Sequence, residues 1–179
     1  MKTFLLLAHH TYPFSMHVAQ HVFLVLIIPG LLVVAIPQRF AKTIPAPNPL
    51  ANWLIGVGAM LAWHIPAVFT AILANEPLHV AQEFSFPLTG AIFWWPIFHP
   101  LKSRRLAPFP AIAYLFIACS ACSLLGAWLT FGPVRVNSKD DQQLAGLIMW
   151  VPCCFIYLSA ILATAARWFA APQEVQHES

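Results

Sequence analysis

The chain has 179 residues, of which 60% are hydrophobic and only 8% charged, with a mean hydropathy of +0.73 and a formal net charge of +3. A water-soluble domain devotes roughly a quarter of its residues to charge, so lipid must solvate most of this surface. The few basic residues are scattered through short connectors, which argues against a nucleic-acid-binding face and for membrane-topology signals.

Residues 1–8 begin like a secretion signal, but the apolar stretch is short and His9 and His10 interrupt it. It is expected to be a lead-in that is not cleaved. About 20 apolar residues cross a bilayer as a helix, and five stretches qualify: residues 16–37, 50–73, 78–98, 108–131 and 142–169. The expected fold is therefore all-α, a polytopic transmembrane helix bundle of about five spans forming a single domain over residues 1–179. Pro29, Pro66, Pro87, Pro96 and Pro152 fall inside spans, where neighbouring helices can satisfy the backbone groups that proline frees. Arg39, Lys42, Lys102, Arg104, Arg105 and Arg167 cluster at one end, against Lys2, Arg135 and Lys139 at the other. The positive-inside rule then predicts an outward N-terminus and a cytoplasmic C-terminus. Trp53, Trp94, Trp95, Trp128 and Trp168 fit interfacial belts.

On that frame, polar groups from four spans converge toward the outer side. His17 and His21 are four apart at the start of span 1, hence on one helix face. His79 and Glu83 repeat the spacing in span 3, Asp140, Asp141, Gln142 and Gln143 open span 5, and Met149 lies two turns further in. His64 is deeper, about 14 residues of ~1.5 Å rise from the inner end of span 2. Ionisable groups at such depth are paired, metal-bound or functional. Imidazoles, carboxylates and a thioether form a plausible copper set, since imidazole suits copper and thioether sulfur favours Cu(I). The metal-ligand candidates are thus His17, His21, His64, His79, Asp141, Glu83 and Met149.

Each residue also has a plainer reading. Interfacial histidines can simply hydrogen-bond, and His64 can bond the Ala62 carbonyl that Pro66 leaves without a donor. The aspartates can cap span 5, Glu83 can pair with a histidine, and Met149 can pack. Cys119 and Cys122 form Cys-x-x-Cys, but alongside Ala118, Ser123, Gly126 and Ala127 they read as a small-residue packing stripe. Cys153 and Cys154 read as small residues within span 5. His99, at the other end of span 3, and His177 stand apart from the cluster.

Several motifs together carry a resemblance. They are Ser15-Met16-His17-Val18-Ala19-Gln20-His21, Trp63-His64-Ile65-Pro66-Ala67, His79 with Ser85-Phe86, Phe93-Trp94-Trp95-Pro96, and the block from Asp141-Gln142-Gln143 to Trp150-Val151-Pro152. Over roughly Ser15 to Phe169 the chain resembles the multi-span CtaG-type cytochrome c oxidase assembly factors, not the unrelated single-span copper chaperone that shares the name. The resemblance implies a non-enzymatic role in maturing a haem–copper oxidase in the bacterial inner membrane, through copper supply, with His17, His21, His64, His79 and Asp141 carrying it. Implied partners are oxidase subunits and the lipid bilayer, with homo-oligomerisation left open and no nucleic acid. The chain departs from the family pattern in lacking the first spans, in having Glu83 where a second histidine is usual, and in having Cys153 and Cys154 where two glycines usually follow Trp-Val-Pro. Two other readings stand beside this one. Histidines on several helices could ligate a b-type haem for electron transfer, or the chain could be a structural scaffold whose polar residues bond only internally. No nucleophile–base pair or phosphate loop is apparent, and adjacent Asp140 and Asp141 point apart on a helix, so an enzyme is not expected.

Overall fold

The computed structural model describes residues 13–136 and 138–170, and every regular element among them is helical. The lead-in, with His9 and His10, and the tail with His177 lie outside the described residues. In chain order, α1 (Pro13–Val22) runs through a π-helical turn (Phe23–Ile27) into α2 (Ile28–Ala35), and a short α3 (Gln38–Ala41) leads to α4 (Pro49–Trp63). Then come α5 (Pro66–Ala74), α6 (Glu76–Phe98), a 3₁₀ turn (Lys102–Arg104), α7 (Pro108–Phe131) and α8 (Lys139–Ala170).

By length and composition, three segments among the described residues can cross a membrane: Phe14–Ala35, Pro108–Phe131 and Lys139–Ala170. A fourth arises if α4 and α5, bent by 68° at their junction, count as one broken span. Residues 50–73 are thus two helices instead of the continuous span expected. Helix α6 is long enough at 23 residues, but Glu76, His79, Gln82, Glu83, Ser85 and Thr89 dilute its apolar character. The outward faces carry large apolar side chains such as Phe84, 78% exposed, and Phe155, 67% exposed. Such faces are stable only against lipid or another apolar surface.

Prolines shape the bundle, and neighbouring groups meet the carbonyls they free. Pro96 cannot donate to the Ile92 carbonyl, which instead accepts from Asn52 Nδ2 on α4 at 2.7 Å. The next carbonyl, Phe93, accepts the Tyr114 hydroxyl of α7 at 2.8 Å. Pro29 leaves the Val25 carbonyl without its helical donor, and the π turn lies just before it. A Cβ at Gly90 of α6 would collide with that carbonyl and lie 2.7 Å from Pro29 Cγ, so glycine lets the backbones meet there. Trp94, Phe98 and Tyr157 stack within the core, with Trp94–Phe98 ring centroids 5.0 Å apart.

Helices α7 and α8 pack along their length through small residues. A Cβ on Gly146 would strike Thr130 Oγ1 and lie 2.8 Å from the Gly126 carbonyl, while one on Gly126 would lie 2.7 Å from Trp150 Cβ. Such close approach is how membrane helices gain packing energy without a hydrophobic drive. Gly146→Ala should therefore cost about 2–3 kcal/mol of stability through overpacking, measured as a lowered unfolding temperature in detergent.

Candidate metal centre

The site lies where α1, the α4–α5 break, the start of α6 and the start of α8 meet. Asp141 fixes α1 there. Its carboxylate, 2% exposed, accepts the Phe14 N–H through Oδ2 and the Ser15 N–H through Oδ1, both at 2.9 Å. The Ser138 hydroxyl accepts from Asp141 N at 3.3 Å and serves the start of α8. Asp141 thus caps a different helix from its own, and two helix dipoles point their positive ends at one anion. The buried Gln142 locks the adjoining loop, accepting from Arg135 N at 2.7 Å and donating to the carbonyls of Leu129 at 3.0 Å and Pro133 at 3.1 Å.

With α1 so placed, His17 and His21 lie one turn apart with ring centroids at 3.9 Å. His79 of α6 stacks on His17 at 4.9 Å and 25°. His79 Nε2 is 3.8 Å from Glu83 Oε1, which also accepts from Gln20 Nε2 at 3.0 Å. One donor atom from each of His17, His79 and Glu83 lies within 4.8 Å of the other two, close enough for one ion to draw together.

His64 occupies the C-cap of α4 with φ −95° and ψ 0°. The last turn tightens, so His64 N bonds to Leu61 O at 3.1 Å and Ile65 N to Ala62 O at 3.2 Å. This leaves the Met60 carbonyl, which accepts from His64 Nδ1 at 2.8 Å. The proline-freed carbonyl expected for this role was Ala62, but Ile65 takes that one. A carbonyl cannot donate, so Nδ1 carries the proton and Nε2 keeps its lone pair, the tautomer that suits a metal ligand.

His21 is the unusual member. It is 7% exposed, its ring packs edge-on to Phe86 at 4.7 Å, and neither ring nitrogen has a hydrogen-bond partner among the described residues. A neutral imidazole carries one N–H and one lone pair, and leaving a buried polar atom unmet costs about 1–3 kcal/mol. A bound ion would satisfy the lone pair directly, so the donor set fits a transition-metal ion.

His17, His21, His64, His79 and Asp141 line one cavity of about 820 Å³. Glu83 lies beside it, through His79. Met149 is not in its wall: it borders a smaller pocket beneath, shared with His21 and His64. Sequence reasoning missed Gln82, Arg135 and Ser138, which also line the cavity. Gln82 is buried with Oε1 unpartnered, and its position three residues after His79 on a helix was an available signal. His99 caps the far end of α6. Burial, with the Arg104 and Arg105 guanidiniums nearby, holds its imidazole below the ordinary pKa, consistent with Nδ1 accepting Leu101 N–H at 3.0 Å.

Comparison with known proteins agrees with the sequence motifs. The family model for the cytochrome c oxidase caa3 assembly factor (Caa3_CtaG) matches residues 3–171. An uncharacterized protein of Mycobacterium leprae (strain TN) is similar, 23% identical over 196 aligned positions. That alignment takes in 87% of this chain but only 30% of the relative's length. No solved structure matches. With nearly its whole length matched by the family model, the chain belongs to the cytochrome c oxidase caa3 assembly factor family.

Proposed function

We propose that this protein is a multi-pass factor of the bacterial inner membrane that holds copper transiently at the His17–His79–Glu83 cluster and releases it to a maturing haem–copper oxidase. Membership of an assembly-factor family points to a non-catalytic role and to contact with oxidase components. In this reading the chain crosses the membrane five times, with α6 as a polar span, and the distribution of basic residues supports an outer-side histidine cavity. The observation that carries the copper reading is His21, a buried imidazole with no partner at either nitrogen among the described residues, its ring centroid 3.9 Å from that of His17 in a cavity lined by two further imidazoles. His17 and His79 are the entry ligands, since they and Glu83 are less buried than His21. His64, with its tautomer fixed, and His21 receive the ion deeper. Asp141 positions α1 and is a ligand only through lone pairs left over from its two cap bonds. Because ligand nitrogens must be unprotonated, acidification releases the ion. The b-type haem reading gains no support from the geometry or the family.

His21→Phe separates this proposal from a purely structural role. Phenylalanine removes the unpaired nitrogens and keeps the contact with Phe86, so the variant should be more stable than wild type by about 1 kcal/mol. In cells lacking the native gene, it should accumulate normally yet leave oxidase activity low while oxidase polypeptides are still made. Full oxidase maturation by this variant would refute copper handling through His21.

A further inference from the structure

Below the histidine cavity, four sulfur-bearing residues line a small void. Cys122 of α7, Cys153 and Met149 of α8 and Met60 of α4 line a pocket of about 20 Å³, and His21 and His64 line it too. All four sulfur residues are buried, with exposures of 1% for Cys122, 3% for Cys153 and 6% for each methionine. The void is about the size of one water or one monatomic ion. The Cys122 thiol donates to the Met149 carbonyl at 3.5 Å. Met149 and Cys153 are four apart, so both present to α7 from one face of α8.

We propose that this pocket is a second, inner station for copper, selective for Cu(I), which the ion reaches from the outer cavity through His21 and His64. This inference rests on the copper reading above and adds a donor set of different chemistry. Thiolate and thioether are soft donors that select Cu(I), whereas the outer imidazoles and carboxylate also accept Cu(II). Charge favours the same ion. When one thiol of the Cys122–Cys153 pair gives up its proton to bind Cu⁺, the Cu⁺–thiolate unit is neutral, and the thioether donors add no charge. A neutral complex avoids the heavy cost of burying an unpaired charge. The displaced proton leaves through His21 and the outer cavity. His21 and His64 connect the two stations, since both residues border both cavities.

The test uses the full-length protein in detergent, loaded with Cu(I) under ascorbate and examined by X-ray absorption, with a parallel sample loaded with Cu(II) for electron paramagnetic resonance. Wild type should show copper–sulfur scattering, lost in Cys122→Ala/Cys153→Ala and kept in Cys119→Ala/Cys154→Ala. The latter pair, with its sulfurs 3.7 Å apart, lies outside the pocket. The nitrogen-coordinated Cu(II) signal should be the same in all three. If the double alanine variant does not fold, Met149→Leu/Met60→Leu conserves volume and should weaken Cu(I) at least tenfold in competition with bathocuproine disulfonate. Wild-type protein with the Cu(II) signal but no copper–sulfur scattering overturns the inner station and leaves the outer one standing. Copper–sulfur scattering without the Cu(II) signal supports the inner station and removes the outer one. Absence of both overturns both.

Discussion

Alanine at Asp141 should lower the stability of the protein by about 4 kcal/mol, because each backbone N–H bonded to a charged acceptor contributes roughly 1.5–3 kcal/mol. The two bonds, from Phe14 and Ser15, are buried and span more than 120 residues of sequence. Removing the carboxylate leaves both donors unmet and takes a favourable anion from the N-termini of α1 and α8. For a chain of this size, the unfolding temperature should fall by roughly 10 °C. Asp141→Asn should fall in between, since its amide keeps one acceptor oxygen but turns an N–H toward the second donor. The histidines of α1 depend on this cap for their position, so copper affinity should fall with stability. An Asp141→Ala protein as stable as wild type would show that α1 is held by other means.

The second large effect is on copper itself. His17→Ala combined with His79→Ala removes two of the three donors that approach within 4.8 Å. Even outer-shell partners of metal ligands are worth 10–100-fold in affinity. Loss of two direct ligands should therefore weaken Cu(II) binding by on the order of 100-fold or more, read by competition titration. Stability should change little, because His79 is 36% exposed and both rings border a cavity instead of filling a packed core. Glu83→Gln should have a smaller effect, because the amide retains one oxygen donor and loses the charge.

Much of this architecture was legible in sequence because its causes are local. Apolar runs specify the helices, the Asn48 and Asn75 side chains cap α4 and α6 where turn chemistry predicts, and i,i+4 spacing puts His17 beside His21. The motif string pointed to the family that the matched residues 3–171 then established. What was hidden depends on helix rotation and on contacts distant in sequence. Asp141 reads as the cap of its own helix, yet Ser138 takes that place and the carboxylate reaches across to α1. Met149 lies at a depth comparable to His64, but the rotation of α8 turns it to the sulfur-lined pocket below the cavity. The break in span 2 follows from Pro66, but the 68° bend does not follow from proline alone. Helix α6 reads as a span by length, while its polar stripe is what builds the site and lowers its hydropathy.

Imidazoles from α1 and α6, His17 and His79, share one metal ion with the Glu83 carboxylate in the proposed site. Pulsed electron paramagnetic resonance of the Cu(II)-loaded wild-type protein tests this most directly, through couplings from the remote nitrogens of bound imidazoles. One Cu(II) per chain with at least two equatorial histidine nitrogens is expected, reduced in His17→Ala and again in His79→Ala. A purified protein that takes up no copper, or whose copper signal is unchanged by either substitution, would contradict it.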